Sequence, residues 1–199
     1  MKIYILIICI ILTIVSACVN EQFVLNEGNK ELIVGLKISG TETIDEVNDN
    51  SVMLYDGGFI ALKRYGITDL VSDVTVDIRE GEGAMFAIRC ASNNYENHPA
   101  IILTFSVNGL SVQEKGKPII NLDKYKASKN EPSRIVFRND CKRYDILVDC
   151  DTVYTGFTEI PNTEYLLIKT LPKSKVLLTG ISMVEKGEGE DNVEKVIYK

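Results

Sequence analysis

No tryptophan occurs in this chain of 199 residues, and histidine occurs once, at His98. The first absence removes the largest aromatic platform for stacking on a sugar ring. The second excludes a multi-histidine metal site and leaves a general base at His98 without a visible partner. No CxxC pair is present, so zinc-ribbon and thiol-redox chemistry have no framework. A glycine-rich phosphate loop, a nucleophile elbow and a Ser/His/Asp order are missing as well. Positive charge is short: 22 basic side chains face 28 acidic ones, a formal net charge of −6. That balance argues against a nucleic-acid partner and against adhesion to anionic headgroups. Neither a metal nor a cofactor is expected.

The N-terminus carries the case for export. Lys2 is followed by a nearly unbroken apolar run from Ile3 to Val15. Its length suits a signal-peptide core and falls short of the roughly 20 residues of a spanning helix. The string Val15-Ser16-Ala17-Cys18 then resembles the lipobox read by lipoprotein signal peptidase. The resemblance implies diacylation of Cys18, cleavage before it, and attachment to an extracytoplasmic membrane face by lipid. Several acyl chains make such anchoring durable where one does not. Val19 rather than Asp after the cysteine favours the outer membrane in a host that has two. Loss of Lys2 leaves 21 basic against 28 acidic side chains, a formal charge of about −7. Three cysteines then remain, Cys90, Cys141 and Cys150, so at most one disulfide forms within a chain. If Lys142 to Asp149 is one strand, Cys141 and Cys150 stand roughly 30 Å apart and do not bridge.

From Glu31 onward the hydrophobic period is two, with turn residues every eight to twelve positions. Val74, Val76 and Ile78 alternate with Thr75, Asp77 and Arg79. Asp56-Gly57-Gly58 and Asn108-Gly109 each predict a hairpin between flanking strands. Gly40 to Asn50 reads as a polar loop. Later strands are expected over Arg134 to Arg138, Tyr144 to Val148, Val153 to Phe157, Glu164 to Ile168 and Lys175 to Val184. No stretch shows a helical stripe over three turns, and many short strands at regular spacing predict an all-β sandwich or barrel. The expected organisation is a signal peptide over 1–17, a lipid-anchored tether or early edge strand over 18–30, one domain over 31–185, and a charged tail over 186–199.

The order of these strands resembles a known superfamily. Ser72 to Arg79 is similar to an outer-sheet strand of concanavalin A-like lectin and glucanase domains. Gly83-Ala84-Met85-Phe86-Ala87-Ile88-Arg89 is similar to a glycine-to-arginine strand of 3-keto-disaccharide hydrolase-type and laminin-G-like domains. Ser133 to Arg138 with Tyr144 to Asp149 looks like their hairpin ending in valine-aspartate-glycine, with Cys150 in place of the glycine. Val176 to Val184 resembles their final strand. The resemblance implies a two-sheet antiparallel jelly-roll β-sandwich whose concave sheet often binds glycans. The superfamily serves as lectin, enzyme or structural module, and fold alone does not choose. The alternating Glu, Asp and Glu of the glucanase branch is absent.

Four residues are singled out as ligand-binding candidates: Arg89, Asn94, Tyr95 and His98. If Phe86, Ile88 and Cys90 fill the core, Ala87, Arg89 and Ala91 line the other face, with room for a planar polar group beside the guanidinium. The plainer account of Arg89 is an ion pair with Asp77 or Glu80. Asn94, Tyr95 and His98 belong to Ser92-Asn93-Asn94-Tyr95-Glu96-Asn97-His98-Pro99, a polar loop of the kind that carries binding residues at sandwich ends; its plainer account is a long turn. Asp145 and Asp149 share a predicted strand about 13 Å apart, too far for the two carboxylates of glycoside hydrolysis. No catalytic residue is assigned. The leading expectation is a lipid-anchored, non-catalytic module at the cell envelope that binds a glycan or a protein. The alternatives are a hydrolase of the 3-keto-disaccharide type and a structural envelope lipoprotein.

Overall fold

The computed structural model describes residues 22–27, 30–35, 44–48, 51–63, 70–90, 100–163 and 165–185. The stretch over 1–17 expected to be a signal peptide, Cys18 and the expected tail over 186–199 lie outside them. No helix is present among the described residues. Fifteen strands form two antiparallel sheets: β1 (Gln22–Glu27), β2 (Lys30–Gly35), β3 (Ile44–Asn48), β4 (Ser51–Tyr55), β5 (Phe59–Lys63), β6 (Leu70–Glu80), β7 (Gly83–Ile88), β8 (Ile101–Ser106), β9 (Gly109–Glu114), β10 (Ile120–Leu122), β11 (Ser133–Asp140), β12 (Arg143–Val148), β13 (Asp151–Phe157), β14 (Tyr165–Thr170) and β15 (Lys175–Glu185). One sheet has eight strands in the order β1-β2-β5-β14-β7-β8-β9-β10. The other has seven, β13-β12-β11-β6-β15-β4-β3. The fold is a two-sheet antiparallel sandwich, one of the two architectures the alternation allowed and the one the superfamily resemblance implied.

Period-two patterning places one side of each strand inside. Val74, Val76 and Ile78 of β6, Ile135 and Phe137 of β11, and Val176 and Leu178 of β15 meet Ile60, Leu62, Phe86, Leu103 and Ile168 of the opposite sheet in one continuous core. Phe86 and Phe137 touch across the gap with ring centroids 5.7 Å apart. Core side chains of this size each contribute roughly 1.5–3 kcal/mol when fully buried. Tyr55, Tyr125 and Tyr154 are half-buried around its edges, whereas Tyr144 is buried.

Several expectations need correction. Asp56-Gly57-Gly58 is a turn, with φ +38° at Asp56 and +77° at Gly57, yet it closes no hairpin. β4 pairs with β15 and β3, while β5 pairs with β14 and β2 in the other sheet. The glycines turn the chain, and both strands bury an apolar side only because the turn carries the chain from one sheet to the other. Gly81 to Gly83 makes the same passage from β6 to β7. A Cβ at Gly83 would fall 2.2 Å from the Phe105 carbonyl oxygen, so no side chain fits there. Asn108-Gly109 does join a hairpin, β8 with β9. The stretch Gly40 to Asn50, expected to be a loop, contains edge strand β3; within 18–30, read as a tether or early edge strand, β1 is an edge strand. Strand β10 had no alternation long enough to mark it.

The turn at Cys150 survives the loss of glycine. Asp149 and Cys150 lie at φ +49° and +76° between β12 and β13, the positive pair that a two-residue hairpin requires. Asp149 stabilises its own turn, because its carboxylate accepts the Arg134 backbone N–H at 2.8 Å. Cys141 and Cys150 sit at opposite ends of β12, and Cys90, Cys141 and Cys150 are all free thiols.

Candidate functional site

Arg89 does not lie on an open face. Strand β7 ends at Ile88, and Arg89 takes φ +56°, which breaks the alternation. Cys90 therefore packs with Ala87 on the outside of the eight-stranded sheet instead of entering the main core. Arg89 is only 1 % exposed. Its Nε donates to Asn139 Oδ1 at 3.1 Å, one terminal nitrogen donates to the Cys141 and Ile160 carbonyls at 2.8 and 2.7 Å, and the other donates to the Arg143 carbonyl at 2.9 Å. The guanidinium also stands 5.9 Å from the Tyr144 ring centroid. Neither expected ion pair forms: Asp77 pairs with Arg79 at 2.6 Å, and Glu80 with Lys175 at 3.9 Å. Arg89 is thus a clasp from the eight-stranded sheet to the β11–β12 hairpin.

Asn94, Tyr95 and His98 lie outside the described residues. Both stems of their loop are fixed, because Cys90 and Ala100 are fully buried against Ala61, Ala87 and Leu167 on the outer face of the eight-stranded sheet. Phe59, Ile102 and Tyr165 flank this patch. Desolvation there pushes the Cys90 thiol up to about 12. One row further along, the register sets Lys169, Met85, Thr104 and Ser111 side by side.

The seven-stranded sheet presents a different outer face. Cross-strand register places Phe157 opposite Arg143, and Thr155, Asp145 and Arg138 in one row on β13, β12 and β11. Phe157 is 71 % exposed on the edge strand. Its predecessor Gly156 lies under the Tyr144 ring, where a Cβ would meet the ring carbon Cζ at 2.2 Å. Burial pushes the Tyr144 phenol well above its usual range, and Tyr154 beside it adds to the effect. Arg143 donates from two nitrogens to Asp145 Oδ1, both at 3.1 Å, and the Thr155 hydroxyl donates to the same oxygen at 2.6 Å. Oδ2 accepts no hydrogen bond from the described residues. Val136, Leu147 and Val71 form a small apolar floor beside this row. Arg134 closes its far side, forked onto both carboxylate oxygens of Asp73.

Arg138 stands apart from the other two arginines. It is half-buried, its Nε is enclosed without an acceptor, and it forms no ion pair among the described residues. The sequence reading missed Phe157, Arg143 and Arg138. The run Val153 to Phe157 was legible as a strand, but its outward side was not. A bulge opposite Ile146 and Leu147 shifts the pairing of β13 by one residue, so the faces cannot be counted through from the turn.

Asp145, Asp149 and Asp77, the carboxylates that the sequence offers, are not brought together as a hydrolytic pair. Asp149 caps its turn, Asp145 is held by Arg143 and Thr155, and Asp77 lies on β6, separated from β12 by β11. Among the described residues no cluster of three metal-ligating side chains occurs.

No family model and no curated protein matches the sequence. Solved structures do. The carbohydrate binding module CBM66 from Bacillus subtilis aligns over 82 % of this chain and 95 % of its own, with TM-score 0.51 and 10 % identity. A putative glycosyl hydrolase from Parabacteroides distasonis aligns over 74 % and 92 %, with TM-score 0.52 and 11 % identity. A variant of human galectin-16 aligns over 63 % and 94 %, with TM-score 0.52 and 11 % identity. The likeness is one of fold. The chain shares the β-sandwich fold of these three structures.

Proposed function

We propose that this protein is a non-catalytic glycan-binding module, lipid-anchored through Cys18 at an extracytoplasmic membrane face, and at the outer membrane where the host has two. The observation that carries the reading is the exposed Phe157 ring beside Arg143, Asp145 and Thr155. An aromatic face stacks on the apolar side of a pyranose, while a planar fork and a carboxylate bond its hydroxyls. The fold is shared with a carbohydrate-binding module and a galectin, which supports the same reading. The clasp at Arg89 holds the Arg143 carbonyl and the Ile160 carbonyl beyond β13, so it supports the strands on both sides of the patch.

The test is glycan-array binding by the full-length chain in detergent, with Phe157→Ala alongside. Selective binding that Phe157→Ala removes supports the reading; a blank array with a folded protein overturns it. Palmitate labelling of the wild type that persists in Cys18→Ser would overturn the anchor.

A further inference from the structure

We infer that the glycan recognised at the Phe157 patch carries a carboxylate, and that Arg138 receives it. This rests on the glycan-binding reading above and adds the charge of the ligand. Three arginines share the outer face of β11 and β12, and two are already neutralised: Arg134 by Asp73 and Arg143 by Asp145. Arg138 is not. Its Nε is enclosed without an acceptor, and although Asp145 stands opposite it across the strand pair, its guanidinium forms no ion pair among the described residues.

A guanidinium in that condition has two low-energy outcomes. It can stay hydrated by water at its half-exposed end, or, from its place opposite Val71, it can pair with an external anion. A carboxylate matches its fork, whereas neutral hydroxyls leave the charge uncompensated. Asp145 Oδ2, directly across the strand pair, is an open acceptor that would repel a second anion on its own side. It suits a sugar hydroxyl instead. The site thus sorts its ligand: ring on Phe157, hydroxyls on Asp145 and Arg143, carboxylate on Arg138. Phe157 and Arg138 are two strands apart and offset by two residues, about 12 Å, so the ligand is an oligosaccharide and not a single sugar.

The experiment measures binding of the full-length chain to a panel of uronic-acid oligosaccharides, each paired with its methyl ester. Wild type should prefer the acids about tenfold, the weight of one charge-assisted hydrogen-bonding pair. Arg138→Gln should bring acid and ester to equal affinity, and Arg138→Lys should keep much of the preference. Phe157→Ala should weaken acid and ester alike. Equal affinity for acid and ester in the wild type, with binding still lost in Phe157→Ala, would overturn the carboxylate and leave the glycan site standing. A preference that survives in Arg138→Gln would overturn Arg138 as its source. No binding to any member of the panel, or to neutral glycans, would overturn both readings together.

Discussion

The two outer faces of this sandwich were built from the same alternation and ended up with opposite chemistry. On the eight-stranded sheet, Ala61, Ala87 and Leu167 are sealed by Cys90 and Ala100, and no charged side chain belongs to that cluster. On the seven-stranded sheet, Arg134, Arg138, Arg143, Asp73 and Asp145 surround a smaller apolar floor, and the exposed Phe157 stands at the rim. Arg89, singled out in the sequence for its small neighbours, is buried and occupied by Asn139 and three carbonyls. The face that attracted little notice holds the exposed Phe157 ring and, in Arg138, a guanidinium that forms no ion pair among the described residues. Outward-pointing residues are therefore a weak guide to function until it is known which are covered and which are already paired.

The clasp joining the two regions should give the largest effect. Arg89→Ala leaves Asn139 Oδ1 and three carbonyls without their donor at a buried end, and each unsatisfied group costs about 1–3 kcal/mol. Urea unfolding should show a loss of at least about 3 kcal/mol. A loss under about 1 kcal/mol would mean that the sheets do not depend on it. Next, Gly156→Ala should cost about 1–3 kcal/mol, because the new methyl group overlaps the Tyr144 ring and the edge strand must shift. Its glycan affinity should fall too, since Phe157 is the next residue.

Phe157→Ala should separate the faces most cleanly. Glycan affinity is expected to drop about tenfold, while stability changes by no more than about 0.5 kcal/mol, as for an exposed surface residue. An equal loss in both would mean that Phe157 packs in solution.

Thiol chemistry distinguishes the faces at smaller cost. Cys141 and Cys150 are exposed and should react with iodoacetamide in the folded protein, whereas Cys90 should not. The folded Cys90 thiol is raised from 9.0 to about 12, so its contribution to stability is complete below about pH 9 and disappears as the pH climbs towards about 12. Cys90→Ala should flatten that part of the alkaline unfolding curve. The smallest effect is expected at the Lys142–Glu159 pair, whose side chains are 69 % and 83 % exposed. Lys142→Ala should change stability by less than about 0.5 kcal/mol.

Much of the fold was legible and the site was not. The strands from Leu70 to Glu80 and from Lys175 to Glu185 announced themselves because Val74, Val76, Ile78, Val176 and Leu178 repeat with period two. Asp56-Gly57-Gly58 announced a turn but not its partners, since glycine frees φ without saying which strand comes next. Arg89 was noticed for its small neighbours, yet a single left-handed residue reversed the side on which everything after it falls. Phe157 was concealed by a bulge, and Arg138 by being one arginine among several on the same strand.

What the sequence determined by itself was local: all-β character, the positions of most turns, the lack of CxxC and phosphate-loop motifs, and the lipobox-like string at Cys18. Those follow from residue type and spacing along the chain. Which strands share a sheet, which outward residues are sealed, and which arginine of β11 forms no ion pair among the described residues were decided by the tertiary structure alone. Pairing and charge compensation join residues dozens of positions apart, Arg134 with Asp73 and Arg89 with Cys141, Arg143 and Ile160, and no local pattern records them.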